Sequence, residues 1–80
     1  MKRTVVQSSD LLSVGYDERT LTLEIEFRDG SIYQYTRIPK QVYVELMSAD
    51  SKGTYFSQYI RDNRLYGCTR IQPTLKWCRP

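Results

Sequence analysis

Tyr33 and Tyr35 sit two residues apart, with Arg37 and Lys40 just beyond them. Rings at that spacing on a strand share one face. With cations nearby they form a platform on which the bases of a single-stranded nucleic acid stack. The same spacing also describes a core edge whose hydroxyls reach water. A second cluster is Ser51-Lys52-Gly53. At a helix start, its free amides and the lysine charge suit an anion, although the spacing is not that of a P-loop. The alternative for this stretch is a capping turn in which Gly53 admits a close neighbour. Arg61, Arg64 and Arg70 follow. Arg61 has a structural reason to stand near a helix C-terminus, where the dipole favours a cation; together with Lys52 the three arginines would make a basic rim.

Catalytic chemistry has little to build on. The chain has no histidine, which excludes Ser-His and Cys-His nucleophile pairs and every imidazole metal site. Glu24 and Glu26 point the same way but onto a wet strand face, and Ser8-Ser9 lacks a base. Ser51 and Lys52 are adjacent on a helix and do not face each other. The reading is therefore a non-enzyme with no metal and no cofactor. Cys68 and Cys78, ten residues apart, cannot complete a tetrahedral zinc site; a disulfide between them would close a short loop and tie down the tail, and in a cytoplasmic setting reduced thiols are the expectation.

Charge is unevenly distributed along the 80 residues. Residues 1–62 carry eight basic and nine acidic side chains, while residues 63–80 carry Arg64, Arg70, Lys76 and Arg79 and no acid. A near-neutral body with a cationic end suits a module that meets a polyanion in one orientation. No apolar run approaches the roughly 20 residues that cross a bilayer, and Gln7, Ser8, Ser9 and Asp10 interrupt any leader after Met1-Lys2-Arg3. A soluble, cytoplasmic protein with no membrane partner is expected.

The elements that must position these groups are legible in the periodicity. Thr4–Gln7 is a short edge strand, and Leu11–Tyr16 a second strand in which Gly15 marks a bulge or a close backbone approach. Leu21, Leu23, Ile25 and Phe27 alternate with Thr22, Glu24, Glu26 and Arg28, giving one buried and one wet face. Arg28-Asp29-Gly30 turns the chain into Ser31–Ile38. A two-residue loop would put Tyr33 and Tyr35 on the wet face. A three-residue loop with Gly30 left-handed puts them opposite Ile25 and Leu23, which avoids burying Gln34 and Thr36; the bulged hairpin is expected. After Pro39, Gln41–Ser48 presents Val42, Tyr43, Leu46 and Met47 on one helical face, and a second helix presents Tyr55, Phe56, Tyr59 and Ile60 at the same spacing. A short strand around Thr69–Gln72 is one fate of the tail. The fold class is α+β: a small antiparallel meander of three to four strands followed by two short helices.

Ser8-Ser9, Val14-Gly15-Tyr16-Asp17, Leu-x-Leu-x-Ile-x-Phe, Asp29-Gly30, Tyr33-x-Tyr35, Ile38-Pro39 and Ala49-Asp50-Ser51-Lys52-Gly53-x-Tyr55-Phe56-x-x-x-Ile60-Arg61 together resemble the KTSC domain family. That family is named after the C-terminus of some lysyl-tRNA synthetases and also occurs as free-standing small bacterial and phage proteins. The resemblance covers roughly Val5 to Tyr66, which implies one α+β domain over 1–66 and a basic extension with two cysteines over 67–80. It implies no established activity; attachment to a tRNA enzyme points to RNA, single-stranded or tRNA-like. The expected function is a small binding module that engages RNA or another phosphate-bearing ligand through a basic, tyrosine-rich surface. With four to six phosphate contacts, log K against log salt would slope by roughly −3 to −5. A protein–protein adaptor, self-associating or not, is the alternative. A pocket beside Ser51–Gly53 would open a third reading, a small nucleotide.

Overall fold

The computed structural model describes residues 2–72 and 76–77. Strands β1 (Thr4–Val5), β2 (Leu11–Asp17), β3 (Thr22–Phe27) and β4 (Ile32–Thr36) are followed by α1 (Lys40–Ser48), α2 (Lys52–Phe56) and a π-helical turn over Ser57–Arg61. The chain then returns to the sheet as β5 (Gly67–Gln72) and β6 (Lys76–Trp77). The six strands lie in sequence order in one antiparallel sheet. The class is α+β, as the periodicity implies, but the strand count exceeds the expected three to four. The helices also interrupt the meander instead of ending it. The strand that the tail could form around Thr69–Gln72 is present as β5, two residues longer at its start, and its place beside β4 is secured by pairing Cys68 with Tyr35 and Arg70 with Tyr33.

The β3–β4 hairpin takes the bulged register. Gly30 stands at φ +95°, Phe27 N donates to Ser31 O at 2.8 Å, and Ile25 and Leu23 face Tyr33 and Tyr35. A left-handed residue at that position is what lets a three-residue loop match the strand twist. Leu21 departs from the expected alternation: it precedes β3, is exposed, and adopts φ +55° where the β2–β3 turn ends. Leu11 likewise joins Val14 and Tyr16 on the core face, because β2 slips register between Leu11 and Ser13.

Leu11, Val14, Leu23, Ile25, Ile38, Leu46 and Ile60 are fully buried, forming one core between the sheet and the helices. Leu46 is the buried anchor of α1, with Val42, Tyr43 and Met47 packed beside it. Phe56 and Ile60 anchor the second helical segment, but Tyr59 points out at 55% exposure. The π turn accounts for that difference, since its wider winding breaks the 3.6-residue spacing on which the expected face was drawn. Phe27, expected in the core, is only partly buried.

Cys68 is disulfide-bonded, against the expectation of a reduced thiol. That expectation rested on compartment, whereas bonding depends on which thiols the fold brings together; Cys78 lies outside the described residues. Among the described residues, no helix is long and apolar enough to cross a membrane.

Candidate functional site

A groove of about 890 Å³ opens between the β3–β4 hairpin, β5, α2 and the loop before β2. Four rings make its floor. Phe27 meets Tyr33 edge-on at 5.4 Å, Phe56 meets both Phe27 and Tyr35 at 5.4 Å, and Tyr33 and Tyr35 lie 6.5 Å apart and 23° from parallel. These contacts follow from the hairpin register, which puts odd-numbered residues of β3 and β4 on the helix side of the sheet. Tyr35 is 3% exposed, so it supports the floor and offers no open ring; burial pushes its hydroxyl well above the usual tyrosine range. Tyr33 keeps part of its ring accessible.

The walls carry charge of both signs: Arg28, Arg61 and Arg70 against Asp10, Asp29 and Asp62. Arg28 Nε donates to Ser8 O at 2.8 Å and its amide donates to Asp10 O at 3.1 Å, fastening the loop that forms one wall. Asp10 reaches across to α2, where a Cβ on Gly53 would lie 2.7 Å from Asp10 Oδ2. A side chain there would push that carboxylate aside. Asp29 is held below the usual carboxylate range by the hydroxyl and amide of Ser31, at 2.7 and 2.9 Å, with Arg70 adding a smaller Coulombic pull. Arg61 Nε stands 3.9 Å from Asp62 Oδ1. Arg70 Nε is buried with no hydrogen-bond partner among the described residues.

Of the residues singled out from the sequence, Tyr33, Tyr35, Gly53, Arg61 and Arg70 converge on this groove. The others are placed elsewhere. Arg37 is an exposed turn residue at φ +66°, and Lys40 Nζ pairs with Glu18 Oε1 at 3.5 Å. Ser51 Oγ caps α2 by accepting from Thr54 N at 3.3 Å, and Lys52 Nζ donates to Ala49 O at 3.2 Å, so both serve the helix start. Arg64 is exposed and outside the groove lining. The expected basic rim is thus two arginines of three, joined by Arg28 and balanced by three aspartates. Asp10, Arg28, Asp29, Phe56 and Asp62 escaped sequence reasoning, because each reads locally as a turn, cap or core residue. Gly53 was the one available signal, marking a close approach without naming the residue that approaches.

The opposite face of the sheet carries a closed polar network. Arg3 donates to Glu24 and, at 3.0 Å, to Ser13 Oγ, while Ser13 Oγ donates to Glu26 Oε1 at 2.9 Å and Gln34 Nε2 to Glu24 Oε1 at 2.7 Å. Glu24 is 7% exposed, so this face is covered and not wet as expected. The Lys2-Arg3 segment covers it, and a Cβ on Gly15 would lie 2.6 Å from Lys2 O.

The sequence pattern of the KTSC domain matches residues 7–66. An uncharacterized protein of Stutzerimonas stutzeri is 44% identical over 61 residues, spanning 76% of this chain and 86% of its own length. The lysine–tRNA ligase of Nostoc sp. is 40% identical over 60 residues, 75% of this chain but 11% of the ligase. Among solved structures, a KTSC domain protein from Yersinia pestis superposes with a TM-score of 0.78 at 41% identity, covering 84% of this chain and 92% of that one.

Proposed function

The chain belongs to the KTSC domain family, and from that premise we propose that it is a non-catalytic binding module that takes a phosphate-bearing ligand, RNA foremost, in the groove over Tyr33. The observation that carries this reading is the convergence of Tyr33, Arg61 and Arg70 on one concave site with an aromatic floor. An accessible ring supplies stacking, worth roughly 1–3 kcal/mol per base. The guanidinium groups supply paired donors that match phosphate oxygens. Lysine–tRNA ligases of Nostoc punctiforme, Nostoc sp. and Trichormus variabilis carry a matching segment as about a tenth of their length, which supports tRNA as one member of the ligand class. No catalysis is part of the reading, since the family is one of small modules and not of known catalytic domains.

Fluorescence anisotropy with labelled single-stranded RNA, tRNA and duplex DNA at two salt concentrations tests it. Micromolar or tighter binding to RNA is expected, weakened by Arg61→Ala with Arg70→Ala. With at most three arginines facing the ligand, the salt slope should be no steeper than about −2, shallower than the sequence led one to expect. Absence of binding to every nucleic acid at low salt would overturn the RNA reading. The protein-adaptor alternative is favoured by one observation, the exposure of Val44, Tyr59 and Leu65 at 48%, 55% and 72%. It predicts binding to a partner protein that survives the arginine substitutions.

A further inference from the structure

We propose that the groove recognises the phosphorylated end of a nucleotide, with the terminal phosphate held by Arg70, and not the internal backbone of a strand. The inference rests on the phosphate-ligand reading above and narrows it.

The three arginines of the groove are not equivalent. Arg28 spends its Nε on the Ser8 carbonyl, and Arg61 faces Asp62. Arg70 has its Nε buried and without a hydrogen-bond partner among the described residues; Asp29 is near enough to feel its charge, but no carboxylate among those residues forms an ion pair with it. Nε itself is closed to a ligand, but the two Nη groups are neither buried nor hydrogen-bonded among the described residues, and on the groove wall they offer the paired edge that suits a bidentate oxyanion. Arg70 lies opposite Tyr33 in the β4–β5 ladder. Directly opposed strand residues share a face and lie within side-chain reach, so an anion on Arg70 brings whatever it carries over the Tyr33 ring.

The aspartates decide what kind of anion this is. Asp10, Asp29 and Asp62 balance the arginines one for one. A run of phosphates threaded along such a groove meets as much repulsion as attraction. A ligand with one anionic end and a body rich in hydrogen-bond donors meets neither problem: its phosphate takes the arginine and its sugar hydroxyls donate to carboxylates. The cavity of about 890 Å³ lies within the range that holds one small ligand. Arg70 also falls beyond residues 7–66, the part that the family pattern matches.

The test is an NMR titration of the ¹⁵N-labelled full chain with uridine 5′-monophosphate, with uridine as the control lacking phosphate. Anisotropy with one RNA hexamer bearing a 5′-phosphate, a 3′-phosphate or neither runs alongside. Uridine monophosphate is expected to shift amides of β4 and β5 around Tyr33 and Arg70, and uridine at equal concentration is not. Arg70→Gln should weaken the nucleotide at least tenfold with an unchanged thermal melt. Arg70→Lys, which keeps the charge and loses the fork, should fall between. Equal binding of uridine and its monophosphate, or nucleotide binding by Arg70→Gln within twofold of the parent, overturns the proposal. Hexamer binding that ignores both the end phosphate and Arg70→Gln overturns it while leaving the RNA reading standing. Binding of the mononucleotide but of no hexamer supports it, removes RNA as the source, and points to a free nucleotide.

Discussion

On the back of the sheet, Arg3 is surrounded by acceptors: Ser13, Glu24 and, at 3.8 Å, Glu26. On the groove side, Arg70 has a buried Nε with no partner among the described residues. Both guanidinium groups belong to the same sheet, Arg3 just before β1 and Arg70 within β5, yet their surroundings differ in kind. The first network is closed on itself, since Glu24 also accepts from Gln34 and Glu26 from Ser13. The second is open and concave, with an aromatic floor beneath it. A cation whose hydrogen bonds are met internally holds structure together, whereas one whose bonds are unmet is available for recognition. Charge counted along the sequence makes no such distinction.

Three measurements would break or sharpen this contrast. The largest effect belongs to the core that both faces share. Ile25→Ala, at a fully buried position, should cost about 2–5 kcal/mol in urea unfolding. Phe27→Ala should cost less, about 2 kcal/mol, because the groove leaves that ring partly uncovered. If the two were equal, the groove floor would be as closed as the core and the contrast would fail. Next come the two arginine sites. A double-mutant cycle on Arg3→Ala and Glu24→Ala should return a coupling of roughly 1–3 kcal/mol, as expected for a charged hydrogen bond in a partly buried network. Arg70→Gln should leave stability within about 0.5 kcal/mol of the parent, since among the described residues it removes no hydrogen bond or ion pair and only a weak pull on the exposed Asp29. A large destabilisation by Arg70→Gln would make that arginine structural.

The smallest effect is spectroscopic. Tyr55 donates to Glu45 Oε1 at 2.7 Å, which joins α2 to α1 on the surface away from the groove. Burial, then this bond, pushes the Tyr55 hydroxyl up to about 12, while the same bond with that from Gln41 lowers Glu45. The folded value of Tyr55 is raised, so its contribution is complete below the ordinary value of 10.0 and is lost as pH climbs toward 12. The folded value of Glu45 is lowered, so its contribution is complete above 4.5 and is lost as pH falls below that. In an absorbance titration, Tyr35 and Tyr55 should ionise well above the ordinary tyrosine range. Tyr55→Phe should delete one of those late steps without moving the other.

Local pattern by itself determined much of this protein. Strict alternation from Leu23 to Phe27, the Asp29-Gly30 turn and the cost of burying Gln34 were enough to set the hairpin register, and with it the side on which Tyr33 and Tyr35 lie. Helical spacing in 41–48 identified the face of α1, and the likeness of 5–66 to the KTSC family was legible before any coordinates. These features depend on neighbours within a few residues, where periodicity and steric rules act. The groove depends on something else. Asp10 comes to Gly53 from 43 positions away, Arg70 comes to Tyr33 from 37, and the π turn swings Tyr59 outward. Only the tertiary structure decides such meetings, because they arise from how the helices pack back onto the sheet and where the returning strand docks. It is also what separated arginines of equal charge into one satisfied by its neighbours and one whose Nε has no hydrogen-bond partner among the described residues.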